Sequence, residues 1–223
     1  MLTLKYFGHC SFEFITSKGM RIIIDPYKNS FFSRWFKYRF PRLRADILLI
    51  THNHFDHNAI SRIKENPKVI NKPIIVKNRN YIIKGIKGNH ARSKKYNFYQ
   101  NTIFLLELNK IRFCHWGDND ANINKNLLKK LGKIDILMLP IDDSEHLLTL
   151  PEVDKVIKKL SPQIIIPMHY FDKSLSSFFS PLGMIKNWLN SQKNVKKISN
   201  GKIRISKMVL PKTQEVWIFT PLI

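Results

Sequence analysis

The sequence predicts an α+β fold in which sheets pack together and helices cover them. Short apolar runs separated by turn signals recur through the first half, and strand and helix patterns alternate in the second. The 223 residues are 43% hydrophobic, which is enough for one well-buried core. With only 8 Gly and 11 Pro, the chain fits neither a collagen-like nor a disordered class. We therefore expect a single domain over residues 1–223.

The strand pattern is a series of short apolar or alternating runs, bounded by turn residues. Such a run is too short to cross a bilayer, which takes about 18 apolar residues, and no transmembrane segment is predicted. The predicted strands are 2–7, 11–16, 21–25, 46–51, 73–77, 80–87, 102–108, 111–115, 134–139, 163–167, 202–206 and 215–219.

Helical patterns are fewer and occur at 57–65, 122–131, 151–160 and 181–190. Asn122 is a candidate cap for the second helix. Pro151 suits the first turn of the third, since proline lacks the N–H that this turn leaves unpaired.

Aromatic and cationic residues alternate between residues 29 and 44, from Phe31 through Trp35 to Phe40. One interpretation is a flap beside a site, which contacts an anionic or lipidic substrate or a membrane surface. The other is a short amphipathic helix packed on the core, with its cations in solvent. The sequence leaves both open.

The formal charge of +22 comes from 38 Lys and Arg against 16 Asp and Glu. Such a field attracts nucleic acid, acidic membranes and phosphorylated molecules. The cations are dispersed, however, and Lys, Ile and Asn are all abundant, as in a compositionally biased genome. We expect a small anionic substrate, with nucleic acid as the alternative partner.

The two cysteines, Cys10 and Cys114, are too few for a secreted disulfide scaffold. The N-terminus has the pattern of a strand and not of a signal peptide. We therefore expect a cytoplasmic protein whose thiols are reduced, buried and without a role in metal binding.

The strongest motif follows the apolar strand that ends near Ile50, where His52, His54, Asp56 and His57 fall within six positions. Residues two apart on an extended chain share a face, so His52 and His54 can hold one ion together. Asp56 and His57 then begin the next element and can reach a second ion. Imidazole with carboxylate is a ligand set expected for zinc, with manganese or iron as alternatives.

Two further motifs complete this pattern at the ends of other strands. His115 and Asp118 flank Gly117 after strand 111–115, and the carboxylate of Asp118 could bridge two cations. His169 follows strand 163–167, at a strand's carboxyl end, where sites in α/β proteins usually form.

The order HxHxDH, HxGD and PMHY resembles the metallo-β-lactamase superfamily over about residues 1–220. The segments GHCSF at 8–12 and IIDP at 23–26 further resemble the branch of ascorbate-6-phosphate lactonases and N-acylethanolamine phospholipases. The resemblance implies a four-layer αββα sandwich with a dinuclear site on one edge. By position, it implies that His52, His54 and His115 bind the first metal, that Asp56, His57 and His169 bind the second, and that Asp118 bridges them.

This resemblance also implies a metal-dependent hydrolase with two zinc ions per chain. Two ions about 3.5–4 Å apart lower the pKa of a shared water towards ~7. The resulting hydroxide attacks an ester, lactone or phosphodiester, and Asp56 orients or deprotonates it. A nuclease or nucleic-acid-binding protein on the same fold is the alternative.

Several other residues are weaker candidates. His90 matches a position where relatives often carry a histidine before the substrate loop, and it could hydrogen-bond the scissile group as a catalytic residue. His9 could donate to Asp25 or to a metal ligand. His146 and Tyr170 could lie at the rim, but an exposed loop histidine and a packed aromatic are equally ordinary explanations.

Overall fold

A computed structural model describes residues 1–29, 34–92 and 100–222. The strands are β1 Leu2–Gly8, β2 Ser11–Ile15, β3 Arg21–Ile24, β4 Leu43–Arg44, β5 Ile47–Leu49, β6 Ile63–Lys64, β7 Lys68–Ile70, β8 Ile75–Lys77, β9 Tyr81–Asn89, β10 Gln100–Leu108, β11 Ile111–His115, β12 Ile136–Pro140, β13 Ile164–Met168, β14 Val195–Ile198, β15 Lys202–Ile205 and β16 Glu215–Phe219. The smaller sheet has the order β15-β1-β2-β3-β5-β7 and the larger sheet the order β14-β16-β13-β12-β11-β10-β9-β8, with β4 and β6 as a separate pair. Each predicted strand corresponds to one of these, with ends shifted by one or two residues. The short strands β4, β6, β7 and β14 were not predicted.

The two sheets face one another across the main hydrophobic core. Alternate residues of β1 and β2 point inward, and their partners come from β10 and β11. Phe14 and Phe113 meet across the interface with ring centroids 5.1 Å apart. The opposite face of the smaller sheet carries a second apolar cluster that includes Ile23 and Leu48. Alternation along β3 and β5 therefore points successive apolar side chains into the two different cores.

Three α-helices are present in the described residues: α1 Lys125–Leu131, α2 Leu150–Leu160 and α3 Lys186–Asn190. The α2 helix agrees with its prediction and begins with a capping box between Thr149 and Glu152. The α1 helix starts later than predicted, because Asn124 and not Asn122 accepts the backbone N–H of Leu127.

The helix predicted over 57–65 is wrong. Only Ile60–Arg62 forms a turn of 3-10 helix, and Ile63 then enters β6. The backbone groups are taken by tertiary partners, since Ala59 donates to the carbonyl of Pro26 and Ile63 pairs with Leu43. The long-range pairs outweigh the weak local preference for helix.

The helix predicted over 181–190 is confined to α3. Its first half is held against the loops after β12 and β13. Asp143, after β12, donates its backbone N–H to the carbonyl of Met184, and Phe171, after β13, donates to that of Gly183. A side chain at Gly183 would meet the backbone of Ser144, because its Cβ would lie 2.4 Å from the amide nitrogen. The hydrogen bonds and this close approach hold Gly183 and Met184 against the loops, outside the helix.

Residues 34–44 of the aromatic segment pack on the outer face of the smaller sheet and contain no helix. Phe36 stacks on Tyr27 at 4.0 Å, and Phe40 lies 5.4 Å from Phe7. The predicted packing is therefore confirmed, while the predicted helix is absent from residues 34–44. Residues 30–33, with Phe31 and Phe32, lie outside the described residues. On this side, the described residues cover the sheet with an irregular chain segment.

No helix in the part of the chain that the structure describes is long and apolar enough to cross a bilayer.

Candidate metal centre

Several strand ends and turns meet at one edge of the sandwich. After β5, Ile50 and Thr51 lead into the histidine motif, and Asp118 and His169 follow β11 and β13. The turn between β1 and β2 brings His9 to the same edge with a φ of 54°. Its carbonyl accepts the backbone N–H of His169 at 3.0 Å, which ties the two sheets together beside the site.

The outer group consists of His52, His54, His90 and Asp118. Each residue offers one ligand atom within 4.8 Å of the others. Nε2 of His52 and Nδ1 of His54 are 2.9 Å apart, and Oδ2 of Asp118 lies 3.6 Å from His52 and 3.4 Å from His90. His54 and His90 are half-buried, so this group faces the solvent side.

The inner group consists of His9, Asp56, His57 and His169, all of them buried. Oδ2 of Asp56 is its common point. It lies 3.0 Å from Nε2 of His9, 3.6 Å from Nε2 of His57 and 3.9 Å from Nε2 of His169. The prediction that His9 contacts a ligand is therefore confirmed as a contact with Asp56.

Asp118 stands between the two groups. Its Oδ1 is 3.4 Å from Nε2 of His57, and its Oδ2 is 3.6 Å from Nε2 of His169. Gly117, with a φ of 56°, makes this approach feasible, because a Cβ there would lie 2.4 Å from Oδ1 of Asn101. That same oxygen accepts the backbone N–H of Asp118 at 3.1 Å.

Asp25 lies behind the centre and holds Thr51 and His57 in place. One oxygen accepts the backbone N–H of Thr51 at 2.8 Å, and the other lies 2.7 Å from its hydroxyl and 2.9 Å from Nδ1 of His57. This hydrogen bond places a proton of His57 on Nδ1 and points Nε2 at the centre. A carboxylate behind a ligating histidine is a common arrangement at metal sites.

His115 is not in the predicted position, and its assignment to the first metal is wrong. Its Nε2 donates to the carbonyl of Cys10 at 2.9 Å, and its Nδ1 accepts the backbone N–H of Gly117 at 3.2 Å. Both ring nitrogens are therefore engaged by the backbone, and neither offers a lone pair to a cation. His115 holds the β1–β2 turn against the end of β11.

His90 takes the place predicted for His115. It follows β9, and a bridge to Asn119 brings it beside Asp118. The carbonyl of Asp118 also accepts the N–H of Ala91 at 2.6 Å. Sequence reasoning identified His90 only as a substrate contact, because no local spacing connects it to residues 52–57.

The electrostatics of the centre follow from burial and crowding. Burial lowers the pKa of His52 and of His169 well below the ordinary value, which keeps both rings neutral. Burial also opposes the charge on His57, but the carboxylates led by Asp118 outweigh it and raise its pKa. For Asp118 itself, burial is outweighed by the nearby imidazoles, and its pKa is held well below the usual value.

The chemistry of these residues fits a metal centre. Nε2 of His57 and Oδ1 of Asp118 are buried and lie 3.4 Å apart, and neither makes a hydrogen bond of good geometry within the described residues. Buried polar atoms normally make hydrogen bonds, so buried nitrogen and oxygen atoms that converge without them need an explanation. Neutral imidazoles with ionised carboxylates are the forms that bind zinc, manganese or iron.

His146 and Tyr170 have different environments. His146 is half-buried, and its ring stacks on that of His169 at 5.9 Å and contacts Trp35 at 6.2 Å. It therefore lies at the rim of the centre. Tyr170 is buried, its pKa is raised by burial, and its hydroxyl is hydrogen-bonded to Tyr6. Tyr170 is therefore a packed aromatic, which is the second of the two interpretations of the sequence.

Comparisons with known proteins identify a family and relatives of this chain. The family described as the β-lactamase superfamily domain matches residues 3–169. A UPF0173 metal-dependent hydrolase of Thermococcus onnurineus is 32% identical over 196 residues, which cover 76% of this chain and 85% of that protein. One of Nanoarchaeum equitans is 30% identical over 195 residues, covering 76% and 84%. A solved Thermotoga maritima structure of the metallo-β-lactamase superfamily aligns over 98% of both chains, with a TM-score of 0.77 and 25% identity.

Proposed function

Because the chain belongs to the metallo-β-lactamase superfamily, and its similar relatives are named metal-dependent hydrolases, we propose that it is a hydrolase with two divalent metal ions, zinc first among them. It activates water for attack on an ester, lactone or phosphodiester of a small anionic substrate. Two unpaired, buried thiols agree with a reducing compartment such as the cytoplasm.

The position of Asp118 carries this proposal. A single carboxylate lies within 3.6 Å of ring nitrogens from both the outer and the inner group. One ion alone would leave one of the two histidine groups without a cation, although both converge on this carboxylate. A carboxylate shared by two ions is the usual centre of a dinuclear site.

In this proposal His52, His54 and His90 would hold one ion, Asp56, His57 and His169 would hold a second, and Asp118 would be available to both. Bound metal ions would supply an activated water and would stabilise the charge that develops on the substrate oxygen. Asp25 keeps the proton of His57 on Nδ1. His9 holds Asp56 at Oδ2, so that carboxylate is oriented while it accepts a proton from the attacking water.

The substrate approaches from the outer group, where the chain is more open. Trp35 lies on this rim with Phe55, at a ring distance of 5.2 Å, and with His146. A substrate with a small apolar body and an anionic group fits an aromatic rim in a chain of charge +22. No specific feature of the described residues favours the nuclease alternative, so RNA belongs in the substrate screen as its test.

The test combines metal analysis of the purified protein with a screen of phosphodiester, lactone, ester, thioester and RNA substrates. We expect about two metal ions per chain, and loss of metal and activity together in His54→Ala. His146→Ala is the matched control for metal content, because His146 lies outside both groups. A His54→Ala protein with full activity and unchanged metal would contradict the proposal.

A further inference from the structure

Cys10 occupies the turn that reaches into the centre. It follows His9 and is 0% exposed. The backbone on both sides is fixed, because the carbonyl of His9 accepts the N–H of His169 and the carbonyl of Cys10 accepts Nε2 of His115. The direction of the Cys10 side chain is therefore set by long-range hydrogen bonds and not by the turn alone.

The thiol lies among imidazoles of the inner group. The sulfur of Cys10 and one ring nitrogen each from His9, His57 and His169 all lie within 4.8 Å of one another, and all of these residues are buried. This distance is short enough for the atoms to share one cation after small movements, since Zn–S and Zn–N bonds are about 2.3 Å and 2.0–2.1 Å.

A second observation points to a ligand at the same place. Nε2 of His57, Nδ1 of His9 and Nδ1 of His169 are buried and have no hydrogen-bond partner among the described residues. These three rings are the ones grouped with the sulfur of Cys10, and a buried nitrogen without a partner is costly. A cation bound there would satisfy Nε2 of His57, which faces the centre.

Cys114 provides an internal comparison. It is also 0% exposed, but it lies on β11 next to His115 and belongs to the hydrophobic core alone. Its strand partners are Leu105 and Leu137, and it is absent from both clusters of ligand atoms in the described residues. The two thiols are therefore equally buried, but only that of Cys10 lies beside candidate metal ligands in the described residues.

From this geometry we propose that the thiolate of Cys10 is an additional ligand of the inner metal ion, an inference that rests on the proposed function. On binding, the thiol releases its proton to solvent and the sulfur lone pair forms the metal bond. A soft thiolate favours zinc or iron over manganese or magnesium.

The experiment compares Cys10→Ser with Cys114→Ser after both are loaded with cobalt or zinc. Cobalt bound to sulfur gives a near-ultraviolet charge-transfer absorption, which we expect in the natural protein and in Cys114→Ser but not in Cys10→Ser. We also expect the zinc dissociation constant of the inner position to rise about 10–100-fold in Cys10→Ser alone. Equal absorption and equal zinc affinity in the two variants would overturn the inference.

Thiol labelling gives a second test that does not depend on the folding of Cys10→Ser. In Cys114→Ser, Cys10 is the remaining thiol, and we expect zinc to slow its labelling compared with chelated protein. Labelling at the same rate with and without zinc would assign Cys10 to the core.

The outcomes also separate this inference from the proposed function. A natural protein that binds no metal and hydrolyses nothing in the screen refutes the function. A protein that binds two ions and is active, but whose Cys10→Ser variant keeps both the absorption and the affinity, refutes only the role of Cys10.

Discussion

The outer and inner groups of the centre differ in how tightly the fold holds them. In the inner group, His57 is fixed by Asp25 and Asp56 is fixed by His9, and all four side chains are buried. In the outer group, His54 and His90 are half-buried and lie beside each other with rings 4.9 Å apart. The comparison indicates a preorganised inner position and a more open outer position, where substrate would bind.

Removing the carboxylate that joins the two groups should have the largest effect. Asp118→Asn keeps the shape but removes the charge shared by His52, His57, His90 and His169. We expect metal content to fall at both positions and the hydrolysis rate to fall on the order of 10³-fold. Metal analysis and kinetics on the same preparation measure both, and normal metal content would argue against a shared ligand.

A matched pair of histidine variants tests which strand end completes the outer group. His90→Gln should lose the outer metal ion. His115→Gln should keep both ions but unfold more easily by about 1–3 kcal/mol, because the carbonyl of Cys10 would lose its donor. Metal analysis with chemical denaturation distinguishes the two effects. Metal loss in His115→Gln alone would restore the original assignment of that residue.

The preorganisation of the inner group depends on Asp25. In Asp25→Asn, the ring of His57 loses its charged partner, and Thr51 loses one of two strong acceptors. We expect metal affinity at the inner position to fall about 10–100-fold while the outer position changes less. Competition with a chromogenic chelator gives the two affinities. An equal loss of metal affinity at both positions would contradict the idea that Asp25 acts on the inner group alone.

The smallest effect concerns the chelated protein, whose stability should decrease on acidification. Burial holds the pKa of four histidines low, and the pKa of two is raised in spite of burial, because carboxylates led by Asp118 outweigh it. The lowered residues are His52, His54, His115 and His169, and the raised ones are His57 and His90.

For a lowered histidine the unfolded chain takes up a proton near pH 6.5 and the folded protein does not, so stability falls as the pH drops through that value. The two raised histidines act in the opposite direction, since their contribution is complete below about pH 6.5 and is lost as the pH rises. With four residues against two, we expect the melting temperature in chelator to fall between pH 7 and pH 5. Thermal scans at fixed ionic strength check the sign, and a rising melting temperature would contradict it.

Local sequence was sufficient wherever the signal lay within a few residues. The run from His52 to His57 follows a buried strand, and its spacing placed two imidazoles on one face, as the distance of 2.9 Å between them confirms. Asp118 was identified because a glycine turn follows β11. The α+β sandwich and most strands followed from hydrophobic alternation, which depends only on neighbours along the chain.

Tertiary structure alone decided between His90 and His115. Both follow or end strands of the larger sheet, and each would suit a metal by composition. The bridge between His90 and Asn119 brings one into the outer group, while the turn at Cys10 captures the other through its carbonyl. The same turn places the thiol of Cys10 beside the inner group, whereas the thiol of Cys114 lies in the hydrophobic core. These outcomes depend on register and on contacts between residues far apart in the chain, which no local pattern of residues encodes.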